Sequence, residues 1–318
     1  MVSEETKKTP DPTPDFSVVI PIFNEEENIP ELYRRLTAVM EKLGSYEIIM
    51  VDDGSRDRSW NMIRDLHAED GRIKGISFSR NFGHHIAVLA GIDHCRGNYT
   101  ILMDGDLQDQ PEEIPGLVEK AKEGYDIVQG IAPRRHAGPL QNLFSRAFHS
   151  LFVKISTVDP KTRISLFRCI GRPVVDSIKK LPERSIFLGG IISWVGFSAT
   201  HKSVTRVPRH AGRSKYHFMK RLALAMNAVT SFSERPLIYI FQLGILVTFF
   251  SLCMFSYALF KKFVHGVAIL GWTSLIAAIF LSTGLITLSL SIIGLYISKL
   301  FIEIKNRPRY IIRATTEE

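Results

Sequence analysis

Residues 104–109 read Asp-Gly-Asp-Leu-Gln-Asp, and they close an apolar run from Tyr99 to Met103. A strand that ends in D-x-D sets two carboxylates, Asp104 and Asp106, on the same side of an extended segment. Gly105 lets the backbone turn between them. Two hard oxygen ligands suit Mg²⁺ or Mn²⁺, and such an ion usually arrives with phosphates. Taken alone, the same stretch also reads as a solvated acidic loop.

Two further acidic loops follow apolar runs. Phe16 to Pro21 (FSVVIP) leads into Phe23, Asn24 and Glu25, and Tyr46 to Val51 leads into Asp52, Asp53, Gly54 and Ser55. Carboxylates there can accept hydrogen bonds from a base or a ribose edge. With Asp104, Asp106 and Gln108 they form a rim of acids at neighbouring strand ends. Crowding that many like charges is costly without a cation.

The elements that must position this rim alternate. Strands are expected at Phe16–Pro21, Tyr46–Val51, Ile73–Phe78, Tyr99–Met103 and Tyr125–Gly130. Between them lie helical patterns. The first runs from an Asn28 cap to about Leu43, with Glu31 at capping-box spacing and Leu32, Leu36, Val39 and Leu43 as its apolar stripe. Others carry Trp60, Ile63 and Leu66, cover Gly83 to Cys95, or start at Pro111. Short apolar strands alternating with helices predict an α/β fold, a mostly parallel sheet with helices on both faces. Ligands of such sheets bind beyond the C-terminal strand ends. No G-x-G-x-x-G follows the first strand, which argues against a dinucleotide site.

Composition divides the 318-residue chain. Mean hydropathy is slightly positive, at +0.06, and the apolar excess sits in the last third. Leu237 to Phe260 is a run of 24 residues with no Asp, Glu, Lys or Arg, and Phe263 to Ser298 is a second uncharged run. About 20 apolar residues span a bilayer core, so a two-helix transmembrane hairpin is expected. The charged, Pro-rich first residues do not read as a secretory signal.

Arg235 before the hairpin and Lys299, Lys305, Arg307, Arg309 and Arg313 after it place both flanks in the cytoplasm by the positive-inside rule. Lys261 and Lys262 in the connecting loop weigh the other way. The large domain ahead of the spans carries no export signal, which favours cytoplasmic flanks and an inner (plasma) membrane protein with both termini inside.

Net charge is +8, and Lys202 to Arg235 holds eight basic residues against one acid, Glu234. Beside two spans, that patch suits lipid phosphate better than nucleic acid. Pro139 to Ile155 and Ser214 to Phe232 read as amphipathic helices for the membrane interface, with a core-facing helix as the alternative for the first. Cys95, Cys169 and Cys253 form no metal or disulfide pattern, consistent with a reducing compartment.

Four motifs together carry a resemblance: V-I-P-x-x-N-E-x-x-N from Val19, V-D-D-G-S-x-D from Val51, R-N-F-G-x-x-x-A from Arg80 and D-x-D-L-Q-D-x-P-E from Asp104. The chain resembles the GT-A fold glycosyltransferases of family 2, and within them the polyprenyl-phosphate hexose transferases of the dolichyl-phosphate mannose synthase type. The bactoprenol glucosyltransferases look most similar, over about residues 16 to 300.

The resemblance implies a metal-dependent enzyme that transfers a hexose from a nucleotide sugar to undecaprenyl (polyprenyl) phosphate. Pro21, Phe23, Glu25 and Asp53, with Asp104 and Asp106, would hold the donor. Asp104, Asp106 and Gln108 would hold Mg²⁺ or Mn²⁺. Arg134, Arg135, Arg168, Arg206, Arg209 and Lys215 would meet phosphates of donor and lipid. Asp106, Asp159 and Arg168 would carry catalysis. The expected boundaries are a leader over 1–15, a catalytic domain over 16–213, a juxtamembrane helix over 214–236, the hairpin over 237–300 and a tail over 301–318.

The chain departs from the family pattern at three places. Ser165 and Leu166 stand where an acid usually precedes Phe167-Arg168, which makes Asp159 a candidate displaced acid. Gly189 replaces the arginine of F-L-R-G, and Ala132 replaces the first arginine of G-x-R-x-x-R, with Arg134 a candidate substitute.

UDP-glucose is the expected donor, with GDP-mannose or a UDP-aminoarabinose sugar as alternatives. The departures leave a non-enzymatic lipid-phosphate-binding subunit as a separate reading. No Q-x-x-R-W occurs, which argues against a processive polysaccharide synthase. Small and polar residues from Ser282 to Gly294 could pack the hairpin on itself or build a homo-oligomer. The tail from Arg309 to Ile312 could pair as a strand with another chain.

Overall fold

The computed structural model describes residues 13–132, 166–182, 188–207, 235–265 and 271–317. The chain divides into two compact units. The first comprises Met1–Gly138, Pro160–Tyr216 and Pro308–Glu318, and the second Pro139–Asp159 and His217–Arg307.

The first unit holds one eight-stranded sheet: β1 (Phe16–Ile22), β2 (Tyr46–Asp52), β3 (Ile73–Phe78), β4 (Tyr99–Leu102), β5 (Ile127–Ile131), β6 (Arg168–Gly171), β7 (Ala199–Ser203) and β8 (Ile312–Thr315). Their spatial order is β7-β5-β6-β4-β1-β2-β3-β8. β4, β1, β2 and β3 pair in parallel, and β5 pairs in parallel with β7. β6 runs antiparallel to both β4 and β5, and β8 antiparallel to β3. The sheet is therefore mixed rather than mostly parallel. Two late strands, each far in sequence from its neighbours, account for the difference.

Among the described residues six α-helices accompany the sheet: α1 (Ile29–Met40), α2 (Ser59–Glu69), α3 (His84–His94), α4 (Ile114–Lys122), α5 (Arg172–Lys179) and α6 (Leu188–Trp194). β1 and β2 are buried along their whole length, so their residues pack alternately on opposite faces. On one face Val18, Ile20, Ile48 and Met50 share a core with Ile29, Leu32, Leu36 and Met40 of α1 and with Ile114 and Leu117 of α4. Each such side chain contributes about 1.5–3 kcal/mol by leaving water.

α3 packs on the other face, over β1 and β2. Gly91 makes this approach feasible, since a Cβ there would collide with Val19 Cγ1. The expected Asn28 cap does not form. Asn28 has helical backbone angles and makes no capping bond, while its Nδ2 donates to Glu25 Oε2 (2.6 Å) and Pro30 sits in the first turn.

The second unit contains α7 (Arg235–His265, 31 residues) and α8 (Trp272–Ile304, 33 residues). Within α8, the 24-residue segment Leu281–Ile304 contains an 18-residue window with a mean hydropathy of 2.0, none of it buried among the described residues. That segment is long and apolar enough to cross a membrane. In α7 the described apolar stretch is the shorter Leu237–Val247. Both expected interface helices, 139–155 and 214–232, lie outside the described residues.

Candidate active site

Three loops at the C-terminal ends of the parallel strands knit together. After β1, Asn24 turns with φ 52°, its N–H donates to Ser55 Oγ (3.0 Å), and its Oδ1 accepts the Arg56 N–H (2.8 Å). Glu25 N–H donates to Ser59 Oγ (3.0 Å), and Glu26 Oε2 accepts the Arg58 N–H (2.9 Å). After β2, Asp52 accepts from the Ser55 N–H and from Ser77 Oγ (both 2.9 Å).

Asp53 is 3% exposed and accepts the backbone N–H groups of Phe82 (2.6 Å) and Gly83 (3.0 Å to Oδ2). Burial pushes its carboxyl up to about 6, against the hydrogen bonds from Phe82 and Gly83. Asp53 therefore clamps the R-N-F-G loop. The neighbouring Asp52 lines the adjacent cavity.

That cavity measures about 800 Å³, and its walls include Phe23, Asp52, Trp60, Arg64, Arg80 and Arg313. Phe23 is thus one expected donor residue found on its wall. Pro21 is buried within β1, in register with Val51 of β2, and Glu25 orients Asn28.

The D-x-D segment ends β4. Leu107 takes a left-handed φ of 58° and is 2% exposed, so core packing holds a conformation that L-residues rarely adopt. The turn brings the Gln108 N–H to Asp106 Oδ1 (3.2 Å). Asp104 is a quarter exposed, with His84 Nε2 at 3.4 Å and Arg206 Nη2 at 3.6 Å. Residues beyond β7 lie along this loop: Asp109 and Arg206 form a bridge, and the Val207 N–H donates to the Gln108 carbonyl (3.2 Å).

Arg206 Nε also approaches Asp109 Oδ1 at 3.0 Å. Asp109 is 2% exposed. Its carboxyl is pushed up to about 7, by burial first and then by Asp104, with Arg206 opposing.

Arg168 lies on β6 opposite Leu102 of β4 and is 3% exposed. Its Nε donates to the Leu166 carbonyl (3.3 Å), and burial lowers its pKa to about 10, which still leaves it cationic at neutral pH. Burial, followed by the charges of His84 and Arg168, brings His85 down to about 4. Burial also lowers His84, with Asp106 opposing. The structure thus gathers Asp104, Asp106, Arg168 and Arg206 near two histidines that the motif reading passed over. Their signal was the pair His84-His85 directly after R-N-F-G. Arg134, Arg135, Asp159, Arg209 and Lys215 lie outside the described residues.

Asp104 and Asp106 are the donor set that a hard divalent cation takes when substrate phosphates complete its shell. Among the described residues no group of three or more His, Cys, Asp or Glu is arranged to hold a metal ion. Burial first, and then the nearby carboxylates of Asp104 and Asp106, raise Asp109.

Residues 17–177 match glycosyl transferase family 2. The chain belongs to that family. It is 38% identical over 300 residues to the SfII prophage-derived bactoprenol glucosyl transferase of Shigella flexneri, covering 94% of this chain and 97% of that protein. The glycosyltransferase YkcC of Bacillus subtilis is 39% identical over 300 residues, covering 94% and 93%. A solved structure of glucosyl-3-phosphoglycerate synthase from Mycobacterium tuberculosis with Mn²⁺ and UDP-glucose is 17% identical, with TM-score 0.47, covering 68% of this chain and 77% of its own. As a family 2 glycosyltransferase the chain is an enzyme, which removes the non-enzymatic reading.

Proposed function

We propose that this glycosyltransferase transfers glucose from UDP-glucose to a polyprenyl phosphate, undecaprenyl phosphate in a bacterial membrane. The observation that carries the reading is the 38% identity to a bactoprenol glucosyl transferase over 94% of the chain. A match of that extent takes in the long helices α7 and α8 as well as the sheet. In this reading α7 and α8 form a transmembrane hairpin, with the sheet domain and both termini on the cytoplasmic face.

The residues divide the work by charge. Asp104 and Asp106, with Gln108 beside them, would hold Mg²⁺ or Mn²⁺ together with the donor diphosphate. Such an ion, when bound, would supply positive charge to offset the charge that develops on the leaving nucleotide. Phe23 and the cavity beside it take the nucleoside. A phosphate monoester has its second pKa near about 6, so the acceptor is mostly dianionic and needs little help from a base.

The acceptor does need guiding past other negative charges. Arg168, cationic and buried beside β4, and Arg206, at the mouth of the D-x-D loop, supply that guidance. Arg209, Lys215, Arg134 and Arg135 would meet phosphates of donor or lipid in the same reading, and Asp159 would stand as the displaced acid. Attack on the face opposite the nucleotide inverts the anomeric carbon and gives a β-linked lipid-phosphate glucose.

The test incubates the full chain with labelled UDP-glucose, Mg²⁺ or Mn²⁺ and undecaprenyl phosphate, and follows label into the organic phase. Transfer from UDP-glucose is expected, and Asp106→Ala should abolish it. Preferred transfer from GDP-mannose or another sugar would replace the donor assignment. Absence of transfer from any UDP or GDP sugar would sink the reaction.

A further inference from the structure

We infer that the strand following the last long helix completes the donor's nucleoside site, and that its Arg313 binds the carbonyl edge of the nucleobase. The inference rests on the nucleotide-sugar reading above.

β8 lies antiparallel on β3 with Thr315 opposite Ile76, Ala314 opposite Ser77 and Ile312 opposite Phe78. The register slips between Ser77 and Phe78, and Arg313 is the residue left over. An extra residue of this kind leaves the ladder and re-aims its side chain. Here Arg313 joins the wall of the 800 Å³ cavity, facing a space shared with Phe23, Asp52, Ser79 and Arg80.

The strand is secured on both sides of that residue. Before it, the Ile311 carbonyl accepts the Ser79 N–H (3.0 Å). The Tyr310 ring stacks on Phe78 at 5.1 Å, and the Tyr310 hydroxyl donates to Asp93 (3.1 Å). After it, the Thr316 N–H donates to the Gly75 carbonyl (3.1 Å), and Thr316 Oγ1 accepts the Gly75 N–H (2.9 Å). These contacts fix the backbone at Arg313, which is itself exposed. Arg35 and Arg72 on this unit pair with Glu112 and Asp70, whereas Arg64 and Arg80 share the cavity wall with Arg313.

Strand order supplies the ligand. The D-x-D carboxylates sit at the end of β4, on one side of β1, while β2, β3 and β8 lie on the other. A donor with its diphosphate at Asp104 and Asp106 extends its nucleoside across β1 toward β3 and β8. A guanidinium is donor-only, so it matches the acceptor carbonyls of a pyrimidine base.

The test compares the wild-type full chain with Arg313→Ala, Arg313→Gln and Arg313→Lys by calorimetric titration with UMP and UDP, and by initial-rate kinetics. Loss of a charge-assisted hydrogen bond is expected to weaken UMP and UDP alike by about tenfold, with Arg313→Lys recovering part. Donor KM should rise by the same factor while acceptor KM and melting temperature hold. Unchanged UMP affinity in Arg313→Ala, with the wild type binding normally, would overturn the role of Arg313 and leave the donor reading standing. So would a loss confined to UDP, which would move the contact to the diphosphate. A wild type that binds neither UMP nor UDP would overturn the donor reading, and this inference with it.

Discussion

Gly54→Ala tests whether the V-D-D-G and R-N-F-G loops act as one wall of the donor cavity. Gly54 has φ +69°, and a Cβ there would sit 2.6 Å from the Arg80 carbonyl carbon and 2.7 Å from the Asn81 nitrogen. Both obstacles are backbone, so no rotamer change relieves them. The left-handed conformation costs a residue with a Cβ about 1–2 kcal/mol, and overpacking against a fixed neighbour about 1–3 kcal/mol. The expected destabilisation is about 2–5 kcal/mol, roughly 5–15 °C in melting temperature for a domain of this size.

The collision also has a direction. It drives residues 80–81 away from residue 54, against the Asp53 hydrogen bonds to Phe82 and Gly83. Gly54, Ser55, Arg80 and Asn81 all line the cavity, so UDP affinity should fall at least tenfold even below the melting transition. Gly71→Ala is the control, since a Cβ there meets nothing within 4 Å. Thermal unfolding and UDP titration of both variants in detergent decide the matter. If Gly54→Ala melts with Gly71→Ala and binds UDP as the wild type does, the two loops are not coupled as described.

Other perturbations probe the acids and their cations. Asp53 titrates near about 6 in the folded chain against an ordinary 3.8. The folded state therefore holds the extra proton between these values, and this group's contribution to stability falls as pH rises from about 4 to 6. Melting of wild type against Asp53→Asn should show their difference changing across that window and flat above it; a difference independent of pH would refute the assignment. Arg206→Met leaves buried Asp109 without its cation and should cost about 1–3 kcal/mol once the partial exposure of the arginine is discounted. Arg206→Lys should restore part of that, and equal melting of all three proteins would show the pair to be inert.

The D-x-D loop and the four parallel strands were legible because each rests on a local signal. β1, β2, β3 and β4 are short apolar runs that end in acids or serines, and their observed starts coincide with the expected ones at Phe16, Tyr46, Ile73 and Tyr99. β6 and β8 carry no such signal. Arg168-Cys-Ile-Gly is four residues long and pairs with strands that precede it by dozens of positions, so nothing local says that it separates β4 from β5.

β8 was harder still. The sequence leaves Arg309 to Ile312 free to pair as a strand with another chain, but Ile312–Thr315 closes the edge of its own sheet beside β3. An open edge would expose unpaired backbone groups, and the first four strands cannot cover it. That requirement is invisible until the strand order is known.

The same logic explains Asp53. V-D-D-G-S presents two adjacent acids, and period-2 alternation aims them to opposite sides. Only the position of the R-N-F-G loop decides which of them is consumed by backbone N–H groups and which remains on the cavity. The motif therefore names a set of loops that the fold brings together, while the division of labour among them depends on contacts between loops that are distant in sequence.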